Sequence, residues 1–452
     1  MQANKRNITK KPSAMSRRDF IGGAAGVAAF TIVPRHVLGG PGYSTPSEKL
    51  NIAGIGVGGK GAGDIGAVEG ENIVALCDVD DKQGGKTFEK YPGAKRYRDF
   101  RKMLEKEKNI DAVVIATPDH VHAPASMMAI KMGKHVYCEK PLTHSVYEAR
   151  MLTEAAREHK VATQMGNQGH SSEDIRLICE WIWDGAIGPV REVHAWTDRP
   201  GGRWAQGVER PEGSSPVPTT LDWDLWLGPA PYRPYVEKAY CPFVWRGWWD
   251  FGTGALGDMA CHIIDPVFWA LKLGYPTSVR AVSTEVNSET APVSSIVEYE
   301  FGARGDMPPV KLTWYDGGLM PTRPAELEKG RRMGSANGGA LFVGDKGKLM
   351  CGCYAKNPRL IPETAMQAYQ RPPKTIPRVE EHHQDWIQAC KGGTPASSNF
   401  DYAGPLTETV LLGNLAIRTG MKLDWDGPNM KCTNVPEANE FVRREYRAGW
   451  TL

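Results

Sequence analysis

The short apolar run Leu50 to Ile55 leads into a glycine-rich turn, Gly54-Ile55-Gly56-Val57-Gly58-Gly59, and no other feature constrains the fold as much. Glycines at 54, 56 and 59 would permit a tight turn, close approach of backbone to a pyrophosphate, and close helix–strand packing. Val57 and Gly58 complete the loop. A second apolar run, Ile73 to Cys77, ends at Asp78. An acid there can accept hydrogen bonds from both ribose hydroxyls, and its charge would repel a 2′-phosphate. The pattern therefore predicts a dinucleotide site that prefers NAD to NADP. Further along stands Cys138-Glu139-Lys140-Pro141. Its proline removes a donor and forces the preceding residue to be extended, which fixes the direction of Lys140 at a strand end.

Between Leu50 and Met165, apolar runs at 50–55, 73–77, 112–116, 135–138 and 161–165 alternate with helical stretches at 61–69, 99–108, 122–132 and 145–159. This βαβ rhythm predicts a parallel sheet with helices on both faces. Ligands of such sheets sit beyond the carboxyl ends of the strands, so the loops carrying Asp119-His120 and Lys140 should face one crevice. After Gly166-Asn167-Gln168-Gly169-His170 the rhythm changes. A helix at about 172–184 and a strand Val190 to Thr197 precede a Trp/Pro/Gly-rich excursion from Arg199 to Trp249, within which Leu221 to Pro229 is too irregular for one helix. A helix at about 253–271 follows. Next come β-rich segments near 278–287, 293–301, 309–316 and 340–351, without crossover helices, so an antiparallel sheet is expected. Helices at about 380–391 and 402–420 close the pattern. The expected fold class is α/β: a Rossmann dinucleotide-binding domain at 46–168, then an α+β domain at 169–452 with a predominantly antiparallel open sheet.

At 452 residues two or three domains are expected, and 41% hydrophobic with 24% charged content is ordinary for a globular chain. A net charge of +3 gives no electrostatic case for nucleic acid. Nine cysteines, an odd count with no CxxC pair, indicate neither zinc nor a disulfide framework, and small buried hydrophobes are the simpler reading. The fourteen tryptophans cluster in part between 196 and 269, where core packing and sugar-facing rings are both open. Residues 1–45 read as a targeting segment and linker. Ser16-Arg17-Arg18-Asp19-Phe20-Ile21 before a mild Gly/Ala-rich apolar stretch resembles a bacterial twin-arginine export signal, and the stretch is too short for a membrane span. That resemblance implies a periplasmic protein that crosses the membrane folded and must hold and regenerate its cofactor in place.

Gly54 to Gly59, Asp78, Ala116-Thr117-Pro118, Glu139-Lys140-Pro141 and Asp258-x-x-x-His262 together resemble the Gfo/Idh/MocA oxidoreductase family. The likeness covers most of the chain beyond residue 48. It implies that Thr117, Pro118 and Glu139 lie along the cofactor, that amides at Asn167 and Gln168 lie near nicotinamide or substrate, and that Lys140 contacts the reacting hydroxyl or carbonyl. His262 is then the proton acceptor, with Asp258 orienting it or holding a substrate hydroxyl. Asp258 and His262 share a helix face by their four-residue spacing. A histidine's pKa suits removal of a hydroxyl proton, and Lys140 would stabilise the alkoxide. No third ligand at a suitable spacing points to a metal. Arg246, between Trp245 and Gly247, reads as a substrate contact or a rim salt bridge. His120 and His122 read as neighbours of the nicotinamide or as structural residues, and His382-His383 as a surface pair. His170 stands where the family more often has an aromatic or arginine.

Three functions fit. The first is an exported oxidoreductase with tightly bound NAD, acting on a CH–OH group of a sugar, glycoside or polyol. The second is an NAD-containing enzyme that oxidises, eliminates a glycosidic substituent and re-reduces. The third is a non-catalytic sugar-binding protein. Gly257 to Asp265 resembles the dehydrogenase pattern, which favours the first. The expected partners are a small carbohydrate and further copies of the chain joined through the C-terminal sheet, with no nucleic acid and no stable membrane insertion.

Overall fold

The computed structural model describes residues 48–452, so the targeting segment and linker expected at 1–45 lie outside the described residues. Six strands form the first sheet: β1 (Asn51–Ile55), β2 (Asn72–Cys77), β3 (Lys95–Tyr97), β4 (Ala112–Ile115), β5 (His135–Cys138) and β6 (Thr163–Met165). Their order, β3-β2-β1-β4-β5-β6 with every pair parallel, is the doubly wound order of dinucleotide-binding sheets. All four residues of β4 are buried, as a continuous apolar run predicts for a central parallel strand. β3 and the helix Asp81–Lys90 carry no apolar signal. The strand is an edge Lys-Arg-Tyr, and the helix contains Gly84 and Gly85, so its start rests on Asp80, whose carboxylate caps the Lys82 amide.

A second sheet of nine strands builds the rest: β7 (Val190–Thr197), β8 (Ser278–Ser283), β9 (Ser295–Phe301), β10 (Val310–Tyr315), β11 (Gly338–Gly344), β12 (Gly347–Gly352), β13 (Arg359–Ile361), β14 (Leu423–Asp426) and β15 (Lys431–Cys432). It is antiparallel except where β7 and β10 run parallel. Helices Gly254–Ile263 and Phe400–Thr419 pack against each other and against the second sheet, and both are buried over most of their length. The single helix expected at 253–271 is two: the chain breaks at Ile264 and restarts at Asp265–Ala270, with Pro266 in the first turn, where its missing N–H costs nothing.

The excursion folds around its own aromatics. Trp223 stacks on Trp226 at 4.8 Å, and Trp245, Trp248 and Phe251 are buried beside them, so these rings pack a core of their own, with Trp226 and Trp245 also lining a cavity. This lobe clips onto the first sheet just past β2, where the Asp81 amide donates to the Thr220 carbonyl (3.0 Å) and the Asp222 amide to Val79 (2.9 Å). His382 and His383 are not a surface pair. His382 is buried, with Nε2 2.7 Å from the Met165 carbonyl, and His383 stacks on Tyr137.

Candidate active site

β1 ends at Ile55, which places Gly54 inside the strand and buries Val57; neither lines the cavity above the sheet. The cradle is therefore Gly56-x-Gly58-x-x-Gly61, two residues later than the 54-56-59 reading. Gly56 holds φ +74, and a Cβ there would stand 2.9 Å from the Ala116 and Thr117 backbone. A Cβ on Gly61 would stand 1.9 Å from the Gly56 carbonyl oxygen, so this glycine, and not Gly59, provides the close helix–strand contact. The strand end was the missed signal: both triplets of glycines satisfy the spacing, but only the later one begins after the strand.

Asp78 caps this turn. Its Oδ2 accepts from the amides of Val57 (3.0 Å) and Gly58 (3.1 Å), and Oδ1 from Asp80 (3.0 Å). Burial pushes its carboxyl up to about 6, against those three hydrogen bonds. Oδ1 keeps an acceptor position open.

A cavity of about 680 Å³ joins this turn to the second sheet. Gly58, Gly59, Asp78, Thr117, Pro118, Glu139 and Gln168 line it, as do Lys140, Arg246, Asp258 and His262. Lys140 Nζ donates to Asp258 Oδ1 (2.9 Å) and to the Asp258 carbonyl (2.8 Å), while Arg246 Nε donates to the same Oδ1 (3.0 Å). Burial would raise the Asp258 carboxyl, but the two cations hold it well below the usual range. Asp258 thus holds Lys140, and no hydrogen bond joins it to His262, which corrects the expected orienting role. His262 is 4% exposed, its Nδ1 has no hydrogen-bond partner, and its ring lies 4.5 Å from Tyr354. Burial and the Lys140 charge push its pKa well down, so it is neutral.

Besides Gly54 and Val57, three more expected cofactor residues lie off the cavity. His120 is buried with its ring nitrogens against the carbonyls of Phe251 (3.2 Å) and Trp226 (2.9 Å), and burial, with Arg444, pushes it down to about 3. His122 spans the carbonyls of Pro141 and Thr117, both at 2.8 Å, and so ties the lysine turn to β4. Burial opposes its charge, but Cys138, Asp119 and the Pro141 carbonyl push it up to about 10. Asn167 is spent on Asp265 (3.0 Å) and Ser398 (2.7 Å). His170 bonds the same Asp265 (2.8 Å) and stacks on Trp269, fully buried.

Sequence reasoning missed Lys60, which lines the cavity and pairs with Glu139 at 2.9 Å, and Tyr354, Arg199, Arg203 and Trp450. Lys60 stands inside the later glycine motif and was recoverable; the others come from distant segments.

Residues 50–167 match the model of the oxidoreductase family's NAD-binding Rossmann fold, and residues 203–452 that of its C-terminal alpha/beta domain. The chain belongs to the Gfo/Idh/MocA oxidoreductase family. Levoglucosan dehydrogenase of Pseudarthrobacter phenanthrenivorans is 26% identical over 167 residues, 37% of this chain and 34% of its own. Inositol 2-dehydrogenase of Rubrobacter xylanophilus is 31% identical over 155 residues, 33% of this chain and 44% of its own. The match thus spans less than half the length of either curated relative. An inositol dehydrogenase homolog from Azotobacter vinelandii, solved with NADH and myo-inositol, shares the fold with a TM-score of 0.53 at 17% identity, over 83% of this chain and 98% of that one.

With Asp78 as the expected acceptor for a ribose hydroxyl, protonation would compete with binding below about pH 6. Affinity for NAD should rise with pH through that value, by about tenfold between pH 5 and pH 7. In calorimetry on cofactor-stripped protein, Asp78→Asn should bind more weakly and lose this dependence; a flat wild-type profile would sever the link to Asp78.

Proposed function

We propose that this chain is an exported NAD-dependent oxidoreductase that removes hydride from a CH–OH group of a sugar, glycoside or polyol and keeps its cofactor between turnovers. In this reading residues 1–45 are a twin-arginine signal and linker that deliver the chain to the periplasm, 46–168 hold cofactor and 169–452 hold substrate. The observation that carries it is one cavity shared by the glycine turn, Asp78, the Lys140–Asp258–Arg246 cluster and an unpartnered neutral His262. The cradle that a Cβ would fill fits a dinucleotide: Gly56, Gly58, Gly59 and Lys60 for the pyrophosphate, Asp78 for the ribose, and Thr117, Pro118, Glu139 and Gln168 toward the nicotinamide. When bound, the nicotinamide supplies the two-electron acceptor. Asp78 favours NAD because a 2′-phosphate would meet its charge.

His262 takes the hydroxyl proton. The Lys140 charge that depresses its basicity in the free site is offset as the substrate oxygen becomes negative, so the histidine becomes the stronger base as the proton leaves. Lys140 stabilises that oxygen, and Asp258 positions Lys140. The outer face of the second sheet, with Val282 exposed and Ile296 and Tyr315 half-buried among the charged Arg280, Glu298 and Lys311, supports a homo-oligomer through that surface.

Retention has a physical support. Phe100, Leu221, Leu225, Trp226 and Trp450 line the same cavity as Asp78 and Asp99, so segments from outside the first sheet contribute to its wall. Residues 442–450 are strapped down. The Arg444 Nε donates to Glu148 (2.7 Å), the Arg447 amide to Pro229 (2.9 Å), and Arg101 lies 4.3 Å over the Trp450 ring.

Three outcomes are expected. Lys140→Met should slow reduction of bound cofactor by about 10²–10³ and His262→Ala by roughly 10²–10⁴, with cofactor content retained. The readout is absorbance of the reduced nicotinamide on adding a panel of sugars and polyols, with product analysis to expose any cleaved glycoside; a wild-type rate in His262→Ala removes it as the base. Trp450→Ala should exchange bound NAD for isotope-labelled NAD about tenfold faster, because base–aromatic stacking is worth about 1–3 kcal/mol; mass spectrometry of released nucleotide reads the exchange, and an unchanged rate would leave retention to the first sheet. Replacing Arg17 and Arg18 together by Lys should leave the protein in the cytoplasm of a bacterial host, and continued periplasmic accumulation in cell fractionation would count against the signal.

A further inference from the structure

The substrate end of the cavity is unbalanced in charge. Arg199 and Arg203 share one carboxylate: the Nη1 atoms of both pair with Asp198, Arg203 at 3.0 Å. Lys140 and Arg246 likewise share Asp258. Four cations that line one cavity thus meet two carboxylates. Asp119, also in the lining, makes up only part of the difference: it is buried, accepts from Thr253 Oγ1 at 2.8 Å, and is a third carboxylate against four cations. Asp78, Asp80 and Asp99 lie with the glycine turn and the strand ends beside it, and Glu139 is paired with Lys60.

Donors outnumber acceptors as well. A guanidinium has five N–H donors and an ammonium three. The guanidinium donors of Arg199 and Arg203 reach only Asp198 among the described residues, and Lys140 uses both of its hydrogen bonds on Asp258. Arg199 and Arg203 line the same cavity as His262 and as Tyr354, whose ring is 4.5 Å from the His262 ring. A neutral sugar is recognised chiefly by acceptors that take its hydroxyl protons, and this end of the cavity supplies few. A carboxylate on the ligand would use the guanidinium forks that remain and cancel part of the surplus charge.

We infer that the substrate is an acidic sugar, a uronate or a glycoside bearing one, with its carboxylate held by Arg199 and Arg203. This rests on the oxidoreductase reading for the site but not on turnover for its test. Binding of D-glucuronate and D-galacturonate, against D-glucose and D-galactose, is measured by calorimetry on the NADH-loaded full-length protein. The acids should bind at least about tenfold more tightly than their neutral counterparts, one charge-assisted contact being worth about 1.5–3 kcal/mol. Arg199→Gln with Arg203→Gln should abolish the preference, while Arg199→Lys, which keeps the charge, should retain most of it. Thermal midpoints close to wild type establish that the variants are folded. Equal or tighter binding of the neutral sugars, no binding of either acid, or a preference that survives the double variant overturns the inference. Cofactor reduction by neutral sugars alone would sink the acidic substrate and leave the oxidoreductase standing; a protein without nicotinamide nucleotide would sink both.

Discussion

One carboxylate holds the site together. Asp258 comes from a helix packed on the nine-stranded sheet, Lys140 from the end of a strand in the six-stranded sheet, and Arg246 from the aromatic lobe. All three meet at a single oxygen, Oδ1. Separately each would be a buried charge; together they keep Lys140 protonated and pointed into the cavity. Removing one partner of such a buried pair typically costs about 3–5 kcal/mol, because the others stay desolvated. The position of the lysine is therefore coupled to the packing of the second sheet, although the lysine itself belongs to the first.

The parallel sheet and β7 to β10 were legible because burial on both faces, or on one, writes itself as runs and alternations. The single segment expected at 340–351 is instead the β11–β12 hairpin, and the short strands β13, β14 and β15 gave no such run. β3 and the Asp81–Lys90 helix were not legible either, since an edge strand of charged residues and a helix with two glycines carry no apolar period. The glycine turn was recognised but placed two residues early. Spacing alone cannot separate the triplet 54-56-59 from 56-58-61; the separation comes from where β1 stops and from the clash a side chain on Gly61 would make with Gly56.

Histidines show the same limit. His120, His122, His170, His262 and His382 are all buried, and nothing in their sequence neighbourhoods ranks them. Their partners do. His120, His122, His170 and His382 spend ring nitrogens on carbonyls or carboxylates of the fold, whereas His262 keeps an unpartnered Nδ1 beside a charged lysine. A buried polar atom without a partner carries a desolvation cost, so His262 is the one of these five whose Nδ1 the fold leaves unspent.

The proposed export adds a constraint that the thiols meet. All nine cysteines are free, and an oxidising compartment threatens any that can form thiolate. Seven are buried and two are half-buried, Cys241 and Cys390. Burial pushes Cys261, Cys351 and Cys353 up to about 12 and Cys241 up to about 11, so the nucleophilic form is scarce near neutral pH. Cys351 and Cys353 lie closest in sequence, on the strand end that leads into Tyr354, and each is packed into the core as a free thiol. A chain that folds before it crosses the membrane can carry such thiols outward already shielded, and the same order of events loads the cavity while nucleotide is still at hand. In the proposed export, folding and cofactor loading would come before translocation, the order that suits free cysteines already buried by the fold.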